Sequence, residues 1–178
     1  MSLAFIALGS NIGEGLENIV KAWQLLGENN DITLLALSAP YMSKPVIKSE
    51  WLKTGRDVSE HWFTNAVGAV ETSLAPQSLL ETTAAIEINL GRDRTSTVNR
   101  AIDLDLIYYD DLILSDETLT LPHPEMHKRH FVLVPLAEIA PDRIHPVNGL
   151  TTSNMLRALP FAGKDEIFRE KWDTEDAK

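Results

Sequence analysis

Apolar and polar positions along the chain alternate between two periods, and each predicts an element. Residues 3–8 are an apolar run stopped by Gly9-Ser10-Asn11, which reads as a first strand ending in a turn. Leu16, Ile19, Val20, Trp23 and Leu26 follow at helical spacing, with Asn11 three before Glu14 as a capping-box-like start and Gly27 as a stop. Residues 32–37 read as a second strand. Residues 40–61 are long and polar, a stretch expected to form a lid, since structureless loops of that length are uncommon in compact domains. Residues 62–71 read as a third strand, with polar Asn65 inside it. Pro76 opens a second helix with a stripe of Leu79, Thr83, Ile86 and Leu90, ended by Gly91; Glu87 lies near the edge of that stripe.

Residues 101–109 dominate the pattern. They are apolar almost throughout except for Asp103 and Asp105, and such a run predicts a strand buried on both faces in the middle of a sheet. Asp110-Asp111 reads as a turn, and 112–114 and 119–121 as short strands. A helix is expected from near Glu125 through Val134, with Pro135 kinking or ending it, and a last short helix over 153–159. Residues 164–178 are charged and poor in apolar positions, the mark of a loosely held tail after a single domain at 1–163. Strand-helix-strand twice over is the ferredoxin-like βαββαβ pattern. The expected class is therefore α+β: an antiparallel sheet packed by helices, with extra strands and C-terminal helices.

Composition narrows the partners. A formal net charge of -10 disfavours nucleic acid. With no cysteine there is no disulfide scaffold and no thiolate metal site. No run reaches transmembrane length and no leader opens the chain, so the expectation is a cytoplasmic protein without a membrane partner.

The candidate chemistry centres on the two aspartates. Side chains two apart on a strand share a face, with Cα atoms roughly 7 Å apart. Two carboxylates in an apolar setting call for a cation or a donor cluster, and Arg92, Arg94 and Arg100 lie just upstream. A magnesium site beside an anion site is the apparatus of phosphoryl transfer. Salt bridges to those arginines, or an exposed strand end, account for the same residues without a metal. Asn65 carries two donors and an acceptor, enough to read the edge of a heterocycle, or simply to bond a neighbouring loop. His123, His127 and His130 are not spaced as the helical zinc signature requires. Asp-x-Asp also opens the aspartyl-phosphate phosphatases, but there it follows the first strand, and here it lies on the fourth.

Several short pieces carry a resemblance. They are Ala7-Leu8-Gly9-Ser10-Asn11, Phe63-Thr64-Asn65-Ala66-Val67, Glu71-Thr72-Ser73-Leu74-Ala75-Pro76, Ile86-Glu87 with Leu90-Gly91-Arg92, and Asp103-Leu104-Asp105-Leu106. Leu121-Pro122-His123-Pro124 with Met126, Arg129 and Phe131 follows, then Val134-Pro135-Leu136-Ala137-Glu138-Ile139-Ala140-Pro141. In this order and spacing the chain resembles the 6-hydroxymethyl-7,8-dihydropterin pyrophosphokinases of folate biosynthesis, over most of its length up to about Pro146. The resemblance implies that the terminal diphosphate of ATP moves onto the pterin's hydroxymethyl oxygen and that AMP leaves. Asp103 and Asp105 would hold two magnesium ions around the phosphates. Arg92 and Arg100 would neutralise the transferring group, with Arg94 beside them at the nucleotide. His123 and Arg129 would contact phosphate or ribose, Leu106 and Thr120 would lie near the adenine, and Glu87 would help hold the nucleotide. Asn65 would read the pterin edge, Phe63 and Phe131 would sandwich its ring, and Ser43 and Val46 would add backbone contacts at the lid base. The partners implied are the pterin and ATP, on a monomer.

The chain also departs from that family. Between Arg94 and Arg100 stands Thr-Ser-Thr-Val-Asn, shorter than usual and without the Arg followed by Trp-Gly-Pro that the family places there. Ala84 and Thr118 stand where Gln and Arg are common. A non-catalytic or altered-specificity pterin- or nucleotide-binding relative is the alternative reading.

Overall fold

A computed structural model describes residues 1–44, 62–91, 100–160 and 166–172. The chain runs β1 (Ser2–Ser10), α1 (Gly15–Gly27), β2 (Ile32–Leu37), β3 (Tyr41–Ser43), β4 (Phe63–Thr72), α2 (Pro76–Asn89) and β5 (Asp103–Tyr109). The two-residue strands β6 (Leu114–Ser115) and β7 (Thr120–Leu121) follow, then a 3-10 turn (Met126–Lys128), α3 (His130–Ile139), α4 (Thr152–Ala158) and β8 (Ile167–Arg169). The main sheet is ordered β5-β1-β4-β3-β8, with β2 also paired to β4, and its pairings are antiparallel. Taking β5, β1, β4 and β2 with crossovers α1 and α2 gives the expected ferredoxin-like core.

Strand alternation divides the core into two layers. Ala4, Ile6 and Leu8 of β1, Ala66 and Val70 of β4, and Leu104 and Leu106 of β5 point to one face, where Ile19, Trp23 and Leu26 of α1 and Leu79 and Ile86 of α2 cover them. Each leucine, isoleucine or valine so taken from water contributes roughly 1.5–3 kcal/mol. Trp23 lies so close to the β4 backbone that a Cβ at Gly68 would fall 2.2 Å from its Cζ3, far inside contact distance. Phe5, Val67, Ala69 and Ile107 point to the opposite face, under Val132, Leu133 and Leu136 of α3 and Met155 of α4. On that second face α3 and α4 cover only part of the sheet, and the polar side chains of the site share it. Among the described residues no helix is long and apolar enough to cross a membrane.

Several expectations are corrected. β5 is an edge strand, not a central one. Its apolar run is explained by helices on both faces, and the backbone groups of its free edge are taken up elsewhere: Leu104 N–H donates to Glu87 Oε1 at 2.7 Å and Ile107 C=O accepts from His123 N–H at 3.0 Å. Asn11 does not cap α1; Glu14 holds the N-cap position without a side-chain bond. Asn11 instead clasps Arg100, its N–H donating to Arg100 C=O at 3.1 Å and its Oδ1 accepting Arg100 N–H at 2.7 Å. Residues 41–43, expected at the start of a lid, form β3 on the edge of β4, while the rest of that lid lies outside the described residues apart from Pro40 and Lys44. The helix expected from Glu125 begins at His130, because Arg129 is extended (φ -120°, ψ 109°), and Pro135 sits inside α3. The loosely held tail does not apply to 166–172: β8 pairs antiparallel with β3, and Trp172 Nε1 donates to Ser38 C=O at 3.1 Å.

Candidate active site

The register of three strands builds the floor of the site. Gly9 on β1 faces Asn65 on β4 and Asp103 on β5, and Ala7 faces Val67 and Asp105 in the next row. Asp103 and Asp105 therefore project from one face. Gly9 lies inside the strand, not in the turn after it, and without a side chain it leaves open backbone between Asn65 and Asp103. Neighbouring strands are about 4.8 Å apart, which puts Asn65 and Asp103 roughly 10 Å from each other across that gap. A Cβ at Gly9 would lie 3.6 Å from Asn65 Oδ1.

One wall is charged. Arg100, fixed by Asn11, turns its Nη1 onto Asp103 Oδ2. The register slips between Phe5 and Ile6, leaving Ile107 as an extra residue in β5 two positions after Asp105. The carbonyl of that bulge holds His123 N–H, so the loop after β7 docks His123 against the aspartate strand. Burial, and then the Asp103 carboxylate, push Asp105 above the usual carboxylate range, against the pull of His123, Arg129 and Arg100. Burial holds His123 below the ordinary imidazole value; Asp105 pulls the other way and Arg129 adds to the depression. Its Nδ1 accepts Glu125 N–H at 3.2 Å, so the neutral ring carries its proton on Nε2, ready to donate. Arg129 stands at the entry to α3 with its guanidinium 5.7 Å from the centre of the Phe131 ring.

The opposite wall is polar and buried. Asn65 Nδ2 donates to Ser43 Oγ at 2.9 Å and to the carbonyls of Tyr41 and Phe63, both at 3.2 Å. The donor end of the amide is thus held by β3 and its own strand, and Oδ1 is turned to the Gly9 side. Phe63 precedes Asn65 by two and shares its face, with Ser43 opposite it on β3.

The fold brings together Arg100, Asp103, Asp105, His123 and Arg129 at one end, Phe131 beside Arg129, and Ser43, Phe63 and Asn65 across the Gly9 gap. Leu106 is buried in the core layer under α2, so only its backbone faces the β5 edge, where β7 with Thr120 lies alongside. Glu87 is buried, with its carboxylate on Leu104 N–H between the two aspartates. Val46, Arg92 and Arg94 lie outside the described residues. Sequence reasoning placed Gly9 in the turn that ends the strand, where a glycine can let a ligand approach the backbone, and missed it as floor inside β1. It also missed Tyr41 and Glu138. Tyr41 Oη donates to Glu138 Oε2 at 2.7 Å and ties β3 to α3, a pairing between positions 97 apart that no local pattern signals.

Comparison with known proteins gives one consistent result. The profile of the 7,8-dihydro-6-hydroxymethylpterin-pyrophosphokinase family matches residues 5–141. A 2-amino-4-hydroxy-6-hydroxymethyldihydropteridine pyrophosphokinase of Methylorubrum extorquens is 39% identical over 168 residues, 94% of this chain and 99% of that protein. The protein of the same name from Haemophilus influenzae is 36% identical over 153 residues, 85% of this chain and 90% of its own. Folic acid synthesis protein FOL1 of Dictyostelium discoideum is 36% identical over 163 residues, which is 91% of this chain but 23% of that longer protein. Among solved structures, Plasmodium falciparum HPPK-DHPS superposes with a TM-score of 0.67 at 17% identity, over 88% of this chain and 45% of that one, and shares the fold.

Proposed function

The chain belongs to the 7,8-dihydro-6-hydroxymethylpterin-pyrophosphokinase family, and on that premise we propose how its own residues carry out the reaction. The protein transfers the pyrophosphoryl group of ATP to hydroxymethyldihydropterin in folate synthesis. The pterin hydroxyl oxygen bonds to the β-phosphorus, the bond to the α-phosphate oxygen breaks, and AMP leaves. A group transferred between two bound substrates needs them in line and close, and a preorganised charge pattern where negative charge develops.

In this reading Asn65 receives the pterin edge. Its Oδ1 acts as acceptor toward the ring's N–H groups, since Nδ2 is engaged by Tyr41, Ser43 and Phe63. Phe63 and Phe131 flank the ring, and Ser43 and Val46 complete its edge. The open backbone at Gly9 lets the hydroxymethyl arm extend from Asn65 toward Asp103. Arg92, Arg94, Arg100 and Arg129 meet the polyphosphate, His123 donates from Nε2 to a phosphate oxygen, and the β5 edge at Leu106 with Thr120 receives the adenine. Glu87 serves the nucleotide indirectly, by fixing the backbone between the two aspartates.

Magnesium dependence, with two ions, is part of the proposal. The donor set fits: Asp105 is half-buried beside a second carboxylate, and burial and Asp103 raise it more than His123, Arg129 and Arg100 lower it. Among the described residues no third acidic or histidine ligand converges there. A two-carboxylate set that leaves the remaining positions to phosphate and water is what magnesium takes. When bound, the ions would neutralise phosphate charge and lower the barrier to attack by the hydroxyl oxygen. We further propose that residues 1–163, with β8 added to their sheet, form one catalytic domain acting as a cytoplasmic monomer, with no nucleic-acid partner, in line with the acidic balance of the chain.

The row Asn65–Gly9–Asp103 carries this assignment of roles. Steady-state kinetics tests it. Asn65→Ala is expected to raise the pterin KM about tenfold or more with the ATP KM within twofold, the effect of losing one buried polar contact. An unchanged pterin KM, or an equal rise for both substrates, would remove Asn65 from the pterin site.

A further inference from the structure

The stretch after Pro146 has no part in the roles above, and residues 166–172 lie beyond the family match at 5–141. Yet they are attached to the strand that holds Asn65. Ile167, Phe168 and Arg169 pair with Ser43, Met42 and Tyr41. Glu170 N–H donates to Pro40 C=O at 2.8 Å, which extends the ladder by one rung. Trp172 Nε1 closes on Ser38 C=O, where the chain turns from β2 into β3. Ser38 is fully buried and also joined to Val67 of β4, its N–H donating to Val67 C=O at 3.0 Å and its Oγ accepting Val67 N–H at 3.1 Å. At the other end of β3, Lys44 pairs with Glu166 at 2.9 Å, and Phe168 packs on Trp62, the residue just before β4, with ring centres 5.7 Å apart.

β3 by itself has little to hold it. It is three residues long, and a short strand with one free edge is weakly determined in position. It nevertheless supplies two of the three acceptors on Asn65 Nδ2, the Tyr41 carbonyl and Ser43 Oγ. If β3 moves, those acceptors move with it, and the amide is no longer obliged to turn Oδ1 toward Gly9. Glu138 on α3 contributes from above: it accepts Tyr41 Oη at 2.7 Å, Arg169 Nη2 at 2.9 Å and Ala39 N–H at 3.3 Å. Arg169 is well exposed, so that ion pair is the weaker part. The backbone ladder and the Trp172 indole are the stronger part.

We propose that the C-terminal segment 166–172 is a positioning element for the pterin half of the site: β8 and Trp172 fix residues 38–43, and through the Tyr41 carbonyl and Ser43 Oγ they set the Asn65 amide. The inference rests on Asn65 reading the pterin. It predicts that the C-terminus acts on one substrate and not on the other.

Full-length variants test it. Glu170→Pro deletes the N–H that Pro40 accepts, and Trp172→Phe keeps the ring but removes the indole donor. Each is expected to raise the pterin KM about fivefold to tenfold, with the ATP KM and the kcat at saturating pterin within twofold. Glu170→Ala, which keeps the backbone bond, is expected to match the unaltered protein. The side-chain amide resonances of Asn65 provide a second readout and should shift in Trp172→Phe. A lowered Tm with both KM values and the Asn65 resonances unmoved would overturn the proposal, leaving the segment a purely structural strand. A parallel rise in both KM values would overturn it as well. Asn65→Ala separates the two levels. If it raises the pterin KM and the C-terminal variants do not, the positioning role alone fails. If it has no effect, the pterin reading and this inference fall together.

Discussion

Gly9 and Asp105 show how much of the site depends on single positions. Gly9 matters for what it lacks. Gly9→Ala places a methyl at ordinary contact distance from Asn65 Oδ1 and is expected to be mild. Gly9→Val puts a branched side chain across the floor and is expected to lower kcat/KM for the pterin about a hundredfold, with the fold retained by circular dichroism. Asp105→Asn is expected to lower kcat by about 10²–10³-fold, the scale seen when a preorganised charged group is lost, while the variant still folds. His145 gives a pH test away from the site. It is buried, its Nδ1 accepts Val147 N–H at 3.2 Å, and its ring packs edge-on against Tyr108 and His127. Burial first, and the His127 charge second, hold it below the ordinary value of 6.5. A depressed imidazole stabilises the fold above its unfolded value and ceases to do so as pH falls through the folded one. Tm should therefore drop as pH is lowered from 7.5 to 5, and His145→Asn, which keeps an acceptor near Nδ1, should flatten that slope. An identical slope in the variant would assign the acid sensitivity to other groups. At this scale the two aspartates were legible because charged residues stand out in an apolar strand. The conformation of Asn65 was not, because its three acceptors come from two strands.

At the scale of elements, β5 is the piece that both the sequence and the structure single out, for different reasons. Its apolar character marks it as a buried strand, and that holds. Its place at the sheet edge does not follow from composition, because Glu87 and the His123 loop take up edge groups that a neighbouring strand would otherwise bond. Both contacts also lie at the proposed site: one sits between the aspartates, the other docks His123 at the bulge. Glu87→Leu would leave Leu104 N–H buried without its acceptor, at a cost of about 1–3 kcal/mol. For a chain of this size that corresponds to a Tm lower by about 2–8 °C. The same variant should need more magnesium for half-maximal rate, whereas Glu87→Gln, which keeps an acceptor, should preserve Tm. Helices α1 and α2 were readable from spacing alone. The start of α3 was not: a helical apolar pattern runs back to Met126, and only the extended backbone at Arg129 separates the 3-10 turn from the helix. That break is what presents Arg129 to the aspartates.

Over the whole molecule, the order of strands and helices was enough to give the ferredoxin-like core, because each crossover has one sterically favoured arrangement. What the order could not give is the second edge of the sheet. β3 and β8 are three-residue strands in polar surroundings, and their pairing joins positions more than 120 apart in the chain. The result is a sheet with Asp103 and Asp105 at one edge, β5, and Asn65 toward the other, with Gly9 between them. We propose that this one sheet joins an ATP site to a pterin site for diphosphate transfer. AMP formation from ATP and magnesium, measured with and without 6-hydroxymethyl-7,8-dihydropterin, tests it most directly. Pterin-dependent AMP, matched mole for mole by pterin diphosphate, is the predicted result. Tight pterin binding without AMP, or release of inorganic phosphate in its place, would contradict it.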